Sequence, residues 1–75
     1  MKHIDTKKAR TAGVWVSAWD ARSDADVPEA GYVWLVRCEE HGDEAWMQVR
    51  RDAQVLATEP EEFCEGCAVD AFEPA

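Results

Sequence analysis

The chain has 75 residues, a formal charge of −8, 47% hydrophobic residues, three cysteines and four tryptophans. A domain this small buries only about 60% of the surface its unfolded chain exposes, so a hydrophobic core alone leaves it marginal, and a disulfide, a metal or a partner is needed to close the gap. The length also argues against an enzyme, because a fold and a water-excluding pocket of about 300 Å³ or more compete for the same few residues.

The N-terminus, Met1-Lys2-His3-Ile4-Asp5-Thr6-Lys7-Lys8, has no apolar h-region and does not read as a secretory signal. No segment approaches the roughly 18 apolar residues of a membrane span. The expected compartment is the cytoplasm, where thiols stay reduced and bind metal more often than they form disulfides. Residues 1–12 carry Lys2, Lys7, Lys8 and Arg10 against Asp5, whereas residues 13–75 carry four arginines against fifteen acids. Residues 1–12 are therefore expected to be a flexible basic arm on an acidic body. Such an arm is weak bait for nucleic acid, because the body repels phosphate.

Gly13-Val14-Trp15-Val16-Ser17-Ala18-Trp19 and Gly31-Tyr32-Val33-Trp34-Leu35-Val36-Arg37 are rich in β-branched and aromatic residues and read as strands. The acidic, proline-containing stretch 20–30 between them reads as an exposed hairpin loop. Ala45-Trp46-Met47-Gln48-Val49 alternates and follows the turn signal His41-Gly42-Asp43, completing a three-stranded antiparallel meander. The period then changes: Ala53, Leu56 and Ala57 fall at i, i+3 and i+4, one face of a short helix over 50–57 that Glu59-Pro60 stops. Residues 13–67 are thus expected to form one domain, with 68–75 as a frayed acidic tail.

The strongest chemical signal is Cys38-x2-His41-Gly42 with Cys64-x-Gly66-Cys67, the two pairs separated by 22 residues. Two-residue spacing lets a tight knuckle turn both side chains onto one ion, and the glycines at 42 and 66 permit close backbone approach and positive φ. Three thiolates and one imidazole make a closed tetrahedral Cys3His set, typical of structural zinc. Iron at the same ligands, a Cys64–Cys67 redox disulfide and metal-free buried cysteines remain open alternatives, although the disulfide lacks a thioredoxin-like βαβ context. A catalytic zinc is disfavoured: the deaminase pattern H-x-E with P-C-x-x-C is not met, and all four ligand positions are taken. His3 reads as solvated.

Alternation places Trp15, Ser17 and Trp19 on one face of the first strand, and Tyr32, Trp34, Val36 and Cys38 on one face of the second. Both faces of the hairpin are then apolar, more than one short helix can cover. Trp15, Trp19, Tyr32, Trp34 and Trp46, with Arg37 on the polar rim, are candidates either for the core or for an interaction surface, since Trp, Tyr and Arg dominate binding hot spots.

From Gly31 onward, the order strand–CEEHG–strand–helix–PEEFC-x2-C resembles a group of small zinc-ribbon-like proteins of uncharacterised function from actinobacteria and their phages. The resemblance covers residues 31–67 and rests on Cys38, Glu39, Glu40, His41, Gly42, Pro60, Glu61, Glu62, Phe63, Cys64 and Cys67. It implies metal ligation by Cys38, His41, Cys64 and Cys67 and implies no activity. The chain departs from shorter members by an added N-terminal strand and the acidic loop 20–30.

The expectation is a small α+β domain, a three-stranded antiparallel meander plus one short helix, zinc-ribbon-like with two knuckles and one structural Zn2+. It would act as a non-enzymatic protein-interaction module, phage-derived and binding a host protein as monomer or homodimer. An acidic nucleic-acid mimic is one alternative; a nucleic-acid-binding ribbon using the basic arm is the other.

Overall fold

The computed structural model describes residues 1–9, 13–24 and 26–72, with side chains as far as residue 69. Four strands, β1 (Lys2–Lys8), β2 (Trp15–Asp20), β3 (Trp34–Cys38) and β4 (Glu44–Met47), form one antiparallel sheet in the order β1-β2-β3-β4. Two helices, α1 (Arg50–Leu56) and α2 (Glu65–Phe72), follow, with a 3₁₀ turn at Pro60–Glu62 between them.

The α+β class and the meander agree with expectation, but the sheet has four strands rather than three, and a second helix is present. The additional strand lies where a flexible arm was expected. Lys2–Lys8 has no apolar alternation to announce it; its backbone pairs with β2, which would otherwise present an unpaired edge. A register shift between His3 and Asp5 sends Ile4 against the core. The Thr6 hydroxyl lies 2.9 Å from that of Ser17, its cross-strand neighbour, and satisfies a buried polar group. Arg10, the remaining cation of the expected arm, lies outside the described residues. The tail was expected to fray after Cys67; it instead continues as α2 to Phe72, and residues 73–75 lie outside the described residues.

The core lies between one sheet face and the C-terminal half of the chain. Val16, Val36, Trp34 and Cys38 pack there with Ala53 and Ala57 of the α1 segment and with Cys64 and Cys67, flanked by Met47, Leu56 and Phe63. The i, i+3, i+4 stripe of Ala53, Leu56 and Ala57 therefore meets the sheet as its spacing predicts. Small alanines let a seven-residue helix lie close to the strands, and the three sulfurs fill the adjoining part of the core.

The strand register separates the aromatic residues. Trp34 pairs with Asp20 and Met47, on the face that the helices cover, and is 7% exposed. Trp19, Leu35 and Trp46 form a row across the opposite face, with His3 edge-on to Trp19 at a centroid distance of 4.9 Å. Trp15 is on that face too, 55% exposed.

Candidate metal centre

Cys38 ends β3 and is fully buried, paired across the ladder with Val16. The chain then turns sharply. Gly42 N–H donates to Cys38 C=O (2.7 Å), Cys38 N–H donates to Asp43 C=O (2.9 Å), and Glu39 N–H donates to Trp15 C=O (2.9 Å). Gly42 closes this knuckle at φ +80°, a conformation that costs an L side chain about 1 kcal/mol or more. The second knuckle is built differently. The 3₁₀ turn passes the chain to Cys64, whose N–H donates to Pro60 C=O (2.7 Å); Cys64 immediately precedes α2, and Cys67 lies in its first turn. Both sulfurs thus sit near the positive end of a helix dipole, a pull toward thiolate that their burial outweighs.

The two knuckles bring four donor atoms together. His41 Nδ1 is 3.3 Å from Cys38 Sγ, 3.3 Å from Cys64 Sγ and 3.4 Å from Cys67 Sγ, and the sulfurs of Cys38 and Cys67 are 3.5 Å apart. All four atoms lie within 4.8 Å of one another. A tetrahedral ion with bonds of about 2.0–2.3 Å has ligand–ligand edges of roughly 3.5–3.8 Å, close to these separations. Cys38, His41, Cys64 and Cys67 are positioned to bind one metal ion.

The electrostatics fit a cation. Burial pushes the Cys38 thiol up, but hydrogen bonds from the backbone and ring of His41 and from Cys67 outweigh it, so its pKa falls below the ordinary thiol value. Burial drives Cys64 and Cys67 above that value, and for Cys67 the adjacent sulfurs add to the rise. One thiolate forms readily, and each further one meets its neighbours' negative charge. A divalent ion at the centre reverses that penalty.

Two supporting residues have roles that spacing does not disclose. The Asp43 carboxylate accepts the Glu65 N–H at the start of α2 (3.1 Å), tying the first knuckle to the second. Gly66, expected to supply positive φ, supplies close approach alone. A Cβ at this position would lie 2.5 Å from His41 Cδ2 and 2.7 Å from His41 Cγ. The imidazole lies directly on the glycine. A glycine inside a C-x2-C hints at a close contact, but only the fold identifies the ring as its neighbour.

The aromatic candidates do not form one surface. Trp34 belongs to the core, because its register places it under α1. Trp15 is exposed, while Trp19, Tyr32 and Trp46 are half-buried. Arg37 donates to Glu44, its cross-strand partner, with Nε at 2.9 Å. Glu39, Glu40, Glu62 and Glu65 are exposed close in sequence to the ligands. No helix among the described residues is long and apolar enough to cross a membrane. The chain matches no family model, no curated protein and no solved structure. The resemblance to zinc-ribbon-like proteins rests on its motif residues alone.

Proposed function

We propose that this chain is a small protein-interaction module whose fold is held by one structural zinc ion. The observation that carries the reading is the convergence of Cys38, His41, Cys64 and Cys67 from two distant segments to within 4.8 Å. Three thiolates and one imidazole are a borderline-soft set suited to zinc, and four protein ligands leave no coordination position for water. The ion's part is structural: it would join β3 to the start of α2 and close the core over them. Three thiolates on Zn2+ leave the centre at −1 among exposed glutamates, which repels phosphate from that face. We therefore read the chain as a non-enzymatic binder of protein, with exposed Trp15 on the helix-free sheet face as the anchor.

Native mass spectrometry of protein purified without added metal, compared with its denatured mass, tests the central claim. One zinc per chain with every cysteine reduced is expected. A folded, metal-free chain two mass units light would replace zinc with a disulfide and overturn the reading. The exposed glutamates favour one rival, an acidic surface that mimics nucleic acid. Binding to a basic protein that falls steeply with salt and is displaced by polynucleotide would select the mimic; binding that survives salt and is lost on Trp15→Ala selects the aromatic anchor.

A further inference from the structure

On the side of the core away from the sulfurs, Lys2, His3, Ile4, Asp20, Arg22 and Arg50 line a pocket of about 230 Å³. The fold assembles it from three parts of the sequence: the start of β1, the end of β2 with the residues just after it, and the first residue of α1. Register places Lys2, Asp20 and Trp34 in one row across the sheet. Both guanidinium groups lie against the indole at the end of that row, Arg22 at 4.8 Å from the ring centroid and Arg50 at 5.9 Å.

We propose that this pocket binds a phosphate monoester through Arg22, Arg50 and Lys2. Charge is the first argument. Three cations face one carboxylate in a molecule that carries −8 overall. Asp20 is already engaged with Arg22, accepting from Nε (3.1 Å) and Nη2 (2.9 Å). Among the described residues Arg50 has no carboxylate partner, and Lys2 shares the same Asp20, whose carboxyl its charge helps hold below the ordinary value. Two guanidinium groups share one indole with only one acid between them, and a bound anion relieves their repulsion. Preorganisation is the second argument: Asp20 and the indole already orient Arg22, so little further side-chain freedom is lost on binding.

The local excess of two positive charges matches a monoester, which carries about −1.5 to −2 at neutral pH, better than a monoanionic phosphodiester. The Arg50 fork and the edge of Arg22 that Asp20 leaves open suit phosphate oxygens, and Lys2 adds a point charge. A volume of about 230 Å³ accepts a phosphate group with a small organic residue. A polynucleotide, with a charge on every phosphate, is repelled by a molecule at −8 overall more strongly than a single monoester is. Lys2, the cation nearest the N-terminus and part of the basic stretch whose role the sequence left open, thereby acquires a function.

The test is a titration of the full, zinc-loaded chain with inorganic phosphate at constant ionic strength, followed by the ¹H–¹⁵N resonances of the Arg22 and Arg50 Nε–H and the Trp34 indole N–H. Saturable shifts at all three are expected. Arg50→Gln weakens binding by about tenfold or more (about 1.4 kcal/mol per decade), Lys2→Gln by a smaller factor, and Arg51→Gln on the same helix not at all. Unchanged dispersion elsewhere in the spectrum shows that each variant is folded. Non-saturating shifts, or equal weakening by Arg51→Gln, would overturn the proposal. Phenyl phosphate and a phosphoserine peptide compared in the same assay assign the source: tighter peptide binding points to a phosphorylated chain, equal binding to a small ester. Tighter binding of a single-stranded oligonucleotide than of either would refute the monoester assignment.

Discussion

Gly66→Ala sets two physical expectations against each other. Gly66 lies in the first turn of α2, and helix propensity alone predicts that alanine stabilises the helix by up to about 1 kcal/mol. The structure predicts the opposite. The new Cβ would meet His41 Cδ2, Cγ and Nε2 at 2.5, 2.7 and 2.8 Å, so the two carbons fall about 0.8–1.5 Å inside the ordinary carbon–carbon contact of about 3.5–4.0 Å. Because Cγ is among them, rotating the ring about its own axis cannot clear the overlap; the imidazole must move bodily by about 1 Å, against a tolerance of about 0.2 Å in a metal–ligand bond. His41 Nδ1 then leaves its place among the three sulfurs, or the knuckle absorbs an overpacking strain of about 1–3 kcal/mol. The expected result is zinc affinity reduced by about 10- to 100-fold, equivalent to about 1.4–2.8 kcal/mol, in competition with a chromophoric chelator. In a His41→Cys background, which removes the ring but keeps four donors, the same alanine should cost nothing. Unchanged or tighter zinc binding by Gly66→Ala alone, or the same loss in both backgrounds, would refute the reasoning.

The other predictions concern the same centre and the core beside it. Cys64→Ser should leave the chain unfolded by circular dichroism at any zinc concentration rather than merely weaken a partner, since ligation and folding are coupled; a folded, soluble variant would contradict this. Zinc affinity should rise with pH by at least about two log units per unit near neutrality, because Cys64 and Cys67 are held protonated above the ordinary thiol value and must release their protons as the ion enters. Acid should therefore release the metal, and a pH-independent affinity would remove the thiols from the ligand set. Trp34→Ala, which empties a buried core position, should cost about 3–5 kcal/mol in chemical denaturation, whereas Trp15→Ala, at a half-exposed site, should stay within about 0.5 kcal/mol. Equal costs for the two would mean that the register assignment is wrong.

Much of this architecture is legible in the residues alone. The β-branched and aromatic runs, the change of period at Ala53, the proline at 60 and the paired two-residue spacings are local signals, and each is set by the neighbours it has in sequence. They suffice to place three strands, α1 and the four ligands, because knuckle geometry depends on spacing and a helix stripe on periodicity. Lys2–Lys8 escapes such reading for a physical reason: its strand is stabilised by main-chain pairing to β2 and by the Thr6–Ser17 contact, neither of which leaves a hydrophobic pattern. The second helix is hidden similarly, behind a C-x2-C that reads equally well as a loop.

Partition of the tryptophans also required the fold. Alternation assigns each to one of two faces but not which face α1 will cover, and one residue of register would exchange Trp34 with Leu35. Only the assembled sheet shows Trp34 inside and Trp15 outside. Charge follows the same rule. The sequence shows a basic start and an acidic remainder, whereas pairing of β1 with β2 draws Lys2 to Arg22 and Arg50 and concentrates positive charge in one pocket of an acidic molecule. Local chemistry by itself determined three of the strands, α1 and the four residues positioned to bind a metal ion. Long-range pairing decided which side chains meet, because contacts between distant residues depend on register and packing that no short stretch of chain encodes.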